Sequence, residues 1–368
     1  MQERHLSSDL SPVNSFVKKS VLLLVAIIVA LLIGELIVRL MLGPHPVDAG
    51  ELYRKPARDV PIGCQGNEGD SSMFISGHDC VYQGKGVHID AFGVRQSRGR
   101  PQAPVPDGKR VAFFGDSFTF GEGVGDDETL PALVDSILQI ERPSEYATIN
   151  FGVPNFNSIQ EYIYLRRFGI RAAPSIVIVQ WLENDVVSNG YTTPDLDSLD
   201  AGRNLHLRGT ESSEETGFLP RLHRWLQKES DLYAFAVPAV KEFADRYLGW
   251  HLGVEDGLWT DFSKPGALLS LESLRRASQF CAEQKISFGV VIYPVPRSLT
   301  TDYYQNNVYS KMEDFCRRNR ISCLNLFTEV FHDRDFRELI VSRRNLHPNA
   351  AANRLAAKAI ARWLPKVH

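Results

Sequence analysis

The sequence predicts an α/β protein: a three-layer α/β/α sandwich with a mainly parallel central sheet, preceded by a transmembrane helix. From Arg110 onward, short apolar segments rich in β-branched and aromatic residues alternate with helical patterns. This alternation is typical of a parallel sheet that is covered by helices on both faces. The strand segments are apolar throughout, as expected for strands buried on both faces. The third observation is an unbroken apolar stretch near the N-terminus.

The apolar stretch occupies residues 20–43. Val21 to Ile33 contains no polar residue, and only Glu35 and Arg39 bring charge into the segment that continues to Leu42. About 20 residues are enough to cross a bilayer. A cleaved secretory signal usually has an apolar region of about 7–15 residues that ends in a small-x-small site, and neither feature fits here. We therefore expect an uncleaved anchor.

The number of basic residues does not decide the orientation of this anchor, because three lie on each side of it. Lys18 and Lys19 directly adjoin the apolar stretch, which favours a cytoplasmic tail at residues 1–19. Cys64 and Cys80 lie in a Gly-, Asp- and Ser-rich stretch where a disulfide can stabilise a weakly cored loop, and such bonds are typical of oxidising compartments. We expect a single-pass inner-membrane protein with a periplasmic domain, and leave open whether the two cysteines are bonded.

The remaining chain divides near residue 108. Residues 44–108 are rich in Gly, Pro and Asp and predict a stalk that packs on the main domain, with short strands such as Met73–Ser76 and Gly86–Ile89. Residues 109–368 form the main domain. Its predicted strands are Arg110–Phe114, Ala147–Phe151, Ser175–Trp181, Ile286–Tyr293 and Ile321–Leu326. Its predicted helices are Thr129–Gln139, Ser158–Phe168, Leu268–Gln284, Tyr304–Asn319 and Ala350–Leu364.

Residues 186–263 interrupt the alternation. A polar segment is followed by two stretches with apolar residues at helical spacing, including Trp225, Phe235 and Phe243. This pattern predicts an inserted helical lid or substrate-binding cap. Two alternatives stay open: a helical pair that only closes over the sheet, and an amphipathic face that rests on the membrane.

Composition excludes some classes of function. The formal net charge is -3, and no run of Lys and Arg with interleaved aromatic residues appears, so nucleic acid is not an expected partner. No CxxC pair or His/Cys cluster suggests a metal site, and no organic cofactor is implied. Cys281, Cys316 and Cys323 fit core positions. The oligomeric state is left open.

Four polar motifs follow predicted strands or precede the last helix. Ser117 comes directly after the first strand, in Gly115-Asp116-Ser117. Gly152 follows the second strand, Asn184 follows the third, and His347 precedes the last helix. Because the carboxyl ends of parallel strands share one edge of a sheet, these residues can converge there.

Acyl transfer needs a nucleophile, a base within hydrogen-bond reach and donors for an oxyanion. Ser117 and His347 fit the first two roles, and the N–H groups of Ser117 and Gly152 with the Asn184 amide fit the third. Each residue also has a structural alternative. Ser117 can cap a helix, Gly152 can allow a tight turn, Asn184 can cap a helix, and His347 can begin the last helix.

On these blocks the sequence resembles the SGNH hydrolase superfamily, also called GDSL-type esterases and lipases. The blocks are Gly115-Asp116-Ser117, Asn150-Phe151-Gly152-Val153-Pro154, Asn184-Asp185 and Leu346-His347-Pro348-Asn349. The lead-in Ile89-Asp90-Ala91-Phe92-Gly93-Val94-Arg95 looks like that of membrane-anchored bacterial members. The resemblance covers Arg110 to Leu364 apart from the insertion, and it implies a flavodoxin-like sheet order.

Two positions depart from the family pattern. The family usually has an Asp two or three residues before the His, whereas this chain has Asn345 and Arg344. Asn345 can orient the imidazole through a hydrogen bond but brings no negative charge, so a lower rate is expected. Asp333 or Asp335 are alternative acids. Leu182 replaces the usual Gly before the Asn184 block, which is expected to reshape the pocket.

The resemblance implies a serine esterase or O-acyltransferase with Ser117, His347 and Asn345 as its catalytic group. It would act on ester-linked acyl groups, first of all acetyl groups on an exported polysaccharide. Lipid esters are the alternative substrate, and a non-catalytic anchored protein that binds glycan or assembles an export complex is the rival from another class. The sequence leaves hydrolysis and transfer undistinguished.

Overall fold

A computed structural model describes residues 12–42, 74, 76–97, 108–185, 222, 230, 232–233, 262, 265–296, 299, 306–342 and 345–368. The chain divides into two compact units: Met1–His45 with Glu215–Phe243, and Pro46–Glu214 with Ala244–His368. Most of the predicted lid at 186–263, together with Cys64 and Arg344, lies outside the described residues.

The first unit contains helix α1, Pro12–Leu42. The helix begins at a proline, which is well suited to a first helical turn, and so includes residues 12–19 of the predicted tail. Its segment Lys19–Ile37 has a mean hydropathy of 2.9 and no buried share, and is long and apolar enough to cross a membrane or to serve as a signal sequence. Within the same unit, Glu35 accepts hydrogen bonds from Ser230 Oγ at 2.7 Å and from the Leu232 N–H at 3.0 Å. The side chain of Arg39 lies outside the described part.

The second unit is built on a five-stranded sheet, which confirms the predicted parallel α/β architecture. Its strands are β3 (Lys109–Gly115), β4 (Tyr146–Gly152), β5 (Ile176–Trp181), β6 (Ser287–Ile292) and β7 (Ser322–Asn325). They lie in the order β4-β3-β5-β6-β7, and every neighbouring pair is parallel. The order reverses beside β3, and ligand sites of open parallel sheets lie outside the carboxyl ends of the strands at such a reversal.

Helices cover both faces of this sheet. They are α2 (Ser117–Phe120), α3 (Leu130–Glu141), α4 (Ser158–Arg167), α5 (Pro265–Glu283), α6 (Asn306–Arg318) and α7 (Ala350–Trp363). Right-handed crossovers from β3 to β4 and from β4 to β5 step in opposite directions, so α3 and α4 lie on opposite faces. In agreement, α3 packs against α7 and α4 packs against α5.

Side-chain caps fix where these helices begin. Thr129 accepts from the Ala132 N–H at the start of α3. Asn157 accepts from two N–H groups at the start of α4, and Gln160 accepts in return from the Asn157 N–H. Such caps satisfy N–H groups that have no partner inside the helix.

The segment before the sheet forms a hairpin of β1 (Asp79–Tyr82) and β2 (Lys85–His88). The predicted strand at Gly86–Ile89 agrees with β2, whereas the one at Met73–Ser76 is represented among the described residues by a single bridge at Phe74 and a turn from Ser76. Cys80 is disulfide-bonded, while Cys281, Cys316 and Cys323 are free.

A second hairpin was not predicted. It pairs β8 (Ile340–Ser342) with β9 (Asn345–Pro348), just before α7. A π-helical turn at Phe327–Phe331 follows β7 and was not predicted either. His347 therefore lies on a short strand and not at the start of the last helix, whose N-cap is Asn349.

Candidate active site

Ser117 lies at the point where β3 ends and α2 begins. Asp116 caps this helix by accepting from the Phe118 N–H at 2.9 Å, so the structural role of helix cap belongs to Asp116 and not to Ser117. Gly115 leaves space for the side chain of Thr119, because a Cβ there would lie 2.2 Å from Thr119 Oγ1. Ser117 is 8% exposed and presents its hydroxyl to the neighbouring β9 hairpin.

The structure brings Ser117, His347 and Asn345 into one hydrogen-bonded chain. His347 Nε2 lies 2.8 Å from Ser117 Oγ, and His347 Nδ1 lies 2.6 Å from Asn345 Oδ1. Ser117 and His347 are 230 residues apart in sequence. The sheet edge therefore joins the three residues that the sequence analysis placed together.

The surroundings of Asn345 determine the tautomer of His347. The backbone N–H of His347 donates to Asn345 Oδ1 at 3.0 Å, so the amide oxygen must face the histidine. An amide oxygen only accepts, so the ring nitrogen beside it, Nδ1, must carry a hydrogen in the neutral imidazole. Nε2 is then the unprotonated nitrogen, and its lone pair faces the Ser117 hydroxyl. This is the arrangement that a general base needs.

Asn349 anchors the hairpin that carries His347. Its side-chain oxygen accepts from the N–H groups of Ala351 and Ala352, each at 3.0 Å, and so caps α7. Its amide nitrogen donates to the carbonyls of Glu338 and Ile340 at 2.8 and 2.9 Å. One side chain thus ties the last helix to the β8–β9 hairpin and fixes the position of the imidazole.

Burial sets the charge state of the site. Desolvation lowers the pKa of His347 to about 4, although the nearby Asp116 opposes this shift. His347 is therefore neutral at pH 7 and ready to accept a proton. Burial also raises the pKa of Asp116, whose carboxylate accepts from the Asn184 side-chain amide at 3.0 Å.

Two further carboxyl groups, those of Glu161 and Asp185, are buried. Burial is the main cause that raises the pKa of Glu161 and of Asp185 well above the usual range, and the charge of Asp116 adds to both shifts. Asp185 accepts from Ser158 Oγ at 3.0 Å. Burial therefore favours the protonated form of both carboxyl groups.

The three expected oxyanion donors differ in their surroundings. The N–H of Ser117 begins a helix, where the first N–H groups have no intrahelical acceptor. The Asn184 side-chain amide donates to Asp116 Oδ2 at 3.0 Å. The N–H of Gly152, however, donates to Asn150 Oδ1 at 2.9 Å.

Gly152 has a packing role that the sequence did not reveal. A Cβ at this position would lie 2.2 Å from the backbone nitrogen of Phe120. The glycine therefore lets β4 approach the short helix that carries Ser117.

The alternative acids, Asp333 and Asp335, pair with side chains close to them in sequence. Asp333 is 58% exposed on its side chain and contacts the ring of its neighbour His332. Asp335 caps a short helical turn and pairs with Arg337. Leu182 is buried in the core, and its expected effect on the pocket stays a prediction.

One carboxylate near His347 was not found from the sequence. Glu122 Oε1 lies 3.5 Å from His347 Nδ1, and Glu122 Oε2 accepts from the Tyr82 hydroxyl at 3.0 Å. The positive φ angles of Gly121 and Gly123, 91° and 81°, shape the turn that holds Glu122. Its place in the Gly-Glu-Gly sequence was the only signal, and that pattern alone does not indicate a contact with a distant histidine.

A metal ion has no evident place in the part of the chain that the structure describes. Among those residues, no group of three or more His, Cys, Asp and Glu side chains is arranged to hold one.

No protein-family model matches the chain, and no curated protein matches it either. Solved structures with a similar fold include a lipase/acylhydrolase from Enterococcus faecalis, at 13% identity over 71% of this chain and 97% of that one, with a TM-score of 0.40. An acetyl xylan esterase is 16% identical over 68% and 97%, with a TM-score of 0.39. A GDSL-like lipase from Bacteroides thetaiotaomicron is 13% identical over 73% and 92%, with a TM-score of 0.37. At this distance the likeness concerns the fold alone: the chain is similar in fold to GDSL-type lipases and acetyl esterases.

Proposed function

We propose that the chain is a serine ester hydrolase or acyltransferase of the SGNH type. The observation that carries this proposal is the chain of hydrogen bonds from Ser117 through His347 to Asn345, at 2.8 and 2.6 Å. It supplies an unprotonated Nε2 beside a serine hydroxyl, which is the requirement for activating a weak nucleophile.

In the proposed reaction, Ser117 Oγ attacks the carbonyl carbon of an ester while His347 Nε2 removes the hydroxyl proton. The tetrahedral intermediate collapses to an acyl-enzyme, and the proton passes from Nε2 to the leaving alkoxide. Water, or the hydroxyl of an acceptor, then releases the acyl group by the same steps. Asn345 keeps Nδ1 protonated throughout, so the base stays in the required tautomer.

The oxyanion would be held by the Ser117 N–H and by the side-chain amide of Asn184. Donors of this kind are each worth about 3 kcal/mol of barrier. The N–H of Gly152 becomes a third donor only if the oxyanion displaces Asn150 Oδ1 from it. We therefore assign the larger share to Ser117 and Asn184.

We further propose that α1 anchors the protein in the inner membrane with the second unit on the periplasmic side. The apolar surface of α1 is exposed to its surroundings, with Leu22 at 72% and Leu40 at 75%, and a bilayer would cover it. Lys18 and Lys19 at its entry favour a cytoplasmic N-terminus. The disulfide at Cys80 supports an oxidising compartment. The substrate expected from the resemblance, an acetyl ester of an exported polysaccharide, fits this location.

Labelling of the full-length protein with a fluorophosphonate probe tests the proposal. Ser117 Oγ would displace fluoride from the phosphorus and form a stable adduct, with His347 taking the proton. We expect labelling of the wild type, none of Ser117→Ala, and a large loss in His347→Ala. His332→Ala, which removes an exposed histidine, serves as the matched control and should label normally.

An unlabelled wild type at every pH between about 5 and 9 would overturn the enzyme proposal and favour the non-catalytic binding protein, because an activated serine reacts within this range. If labelling occurs, turnover of p-nitrophenyl acetate with water alone or with a polysaccharide acceptor separates hydrolysis from transfer. Release of acetate in both cases would assign an esterase, and acylated polysaccharide would assign a transferase.

A further inference from the structure

Asn345 leaves the proposed base without a formal negative charge on its hydrogen-bond partner. When His347 accepts the proton of Ser117 it becomes an imidazolium, and a buried cation is costly unless an anion lies close to it. Asn345 orients the ring but cannot supply that charge. The following inference rests on the proposed function and concerns the anion that supplies this missing charge.

Glu122 is placed to provide it. Its Oε1 lies 3.5 Å from His347 Nδ1, and its side chain is only 13% exposed. The other carboxylate oxygen, Oε2, accepts from the Tyr82 hydroxyl at 3.0 Å, so a second contact orients the carboxylate independently of the histidine. Asn345 Oδ1 and Glu122 Oε1 thus both approach His347 Nδ1. Asn345 is the nearer hydrogen-bond acceptor, and Glu122 brings the negative charge.

Arg95 holds the turn that presents Glu122. Its buried guanidinium donates to the carbonyls of Phe120, Gly121 and Val124, at 3.1, 2.7 and 2.8 Å. A further bond joins Arg95 Nε to Asp126 at 2.8 Å. Carbonyls on both sides of Glu122 are therefore fixed by one side chain, and the position of its Cα does not depend on the histidine.

We propose that Glu122 is a positioning residue of the base: its carboxylate stabilises the imidazolium of His347 in the place of the acid that Asn345 lacks. The proton moves from Ser117 Oγ to His347 Nε2 and on to the leaving alkoxide. Glu122 gains and loses no proton in these steps and acts only through its charge. Nδ1 keeps its hydrogen and its bond to Asn345.

Asp116 is a second anion near the imidazole, and its charge favours the protonated form of His347. Its two oxygens accept from the Phe118 N–H and the Asn184 amide, whereas Glu122 Oε1 approaches the ring nitrogen Nδ1. Tyr82 faces Glu122 as a neutral hydroxyl, and the charges of Asp116 and Glu122 disfavour each other. Burial raises the pKa of Glu122 to about 6, so the carboxylate is charged only above that pH.

A double-mutant cycle in the full-length protein tests the inference, with p-nitrophenyl acetate as the substrate. Glu122→Gln should lower kcat by roughly 10- to 100-fold with little change in KM, because general base catalysis contributes about 100- to 10,000-fold in total and the tautomer is preserved. Asn345→Asp alone completes the cycle, and Glu122→Gln should lower kcat by a smaller factor in this background than in the wild type. The double variant should recover to near the wild type, since the aspartate introduced next to Nδ1 would then carry the charge. A purely structural role of Glu122 would give no such rescue.

The pH profile provides a second readout. Wild-type kcat/KM should decrease as the pH falls through about 6, because the Glu122 carboxylate is protonated in this range. In Glu122→Gln this decrease should move toward pH 4, the range set by His347. An unchanged kcat in Glu122→Gln, or a double variant no better than Glu122→Gln, would overturn the inference while wild-type turnover still supports the proposed function. A wild type no more active than Ser117→Ala would overturn both.

Discussion

Replacing Glu122 by glutamine is expected to stabilise the fold above pH 6 while it lowers activity. Burial raises the pKa of this carboxyl from 4.5 to about 6, so the folded protein binds the proton more tightly than the unfolded chain does. For a raised pKa, the stabilisation is fully present below about pH 4.5 and is lost as the pH rises through about 6. A difference of about 1.5 units at about 1.36 kcal/mol per unit amounts to about 2 kcal/mol.

Glutamine has no charge to desolvate and can still accept from the Tyr82 hydroxyl. The difference in unfolding free energy between variant and wild type should therefore grow by about 2 kcal/mol in favour of the variant from about pH 4 to about pH 8. In a domain of this size that corresponds to about 4–8 °C in melting temperature. Thermal unfolding of the full-length protein, followed by tryptophan fluorescence at both pH values, measures it.

The exposed Glu141 at the end of α3 provides the matched control, because Glu141→Gln removes a carboxylate that is not buried. Its effect on the melting temperature should be the same at the acidic and the basic pH. If the gap between Glu122→Gln and the wild type is equally independent of pH, the carboxylate is not desolvated as described. The electrostatic account of the site would then be wrong.

Two further substitutions test the packing around the site. Gly152→Ala would place a Cβ 2.2 Å from the Phe120 nitrogen, and should cost about 1–3 kcal/mol of stability and reduce probe labelling, as α2 is displaced. Gly86→Ala, where a Cβ meets nothing within 4 Å, should leave both unchanged, and an equally benign Gly152→Ala would contradict the described packing. Arg95→Lys keeps the charge but not the planar fork, and should cost about 3 kcal/mol in chemical unfolding because buried carbonyls and Asp126 lose donors. Arg142→Lys, at an exposed pair with Glu145, should cost less than about 0.5 kcal/mol, and equal costs for the two would refute the role of Arg95.

The sheet and its helices could be predicted because their signals are local. The core strands of the second unit are continuous apolar runs such as Val111–Phe114, which are buried completely. The helices begin at strong capping residues such as Asn157 and Asn349. The spacing of apolar residues and the capping residues are both visible in the sequence. Most predicted boundaries of strands and helices therefore lie within a few residues of the observed ones.

The β8–β9 hairpin could not be predicted in the same way. β8 has only three residues, and β9 contains Asn345, His347 and Pro348, which do not resemble a strand. The pairing is stabilised from outside by Asn349, which bonds the carbonyls of Glu338 and Ile340. A strand held by a neighbouring side chain leaves little trace in its own composition.

The placement of Glu122 depends on contacts that are distant in sequence. Tyr82 lies 40 residues before it, and Arg95, which holds its turn, bonds to carbonyls 25 to 29 residues further on. None of these residues is unusual by type, and only the folded chain shows that Tyr82 and Arg95 hold Glu122 beside the imidazole. The substitution at Asn345 was visible in the sequence, but the carboxylate that accompanies it was not.

Activation of Ser117 by His347 is the step on which the proposed chemistry depends. The most direct measurement is mass spectrometry of the full-length protein after fluorophosphonate treatment, with the adduct located by peptide mapping. We predict a single added phosphonyl group per chain, on the peptide that contains Ser117, and a rate of labelling that falls sharply in His347→Ala. An adduct on a different residue, or labelling of Ser117 at the same rate without the imidazole, would contradict the account.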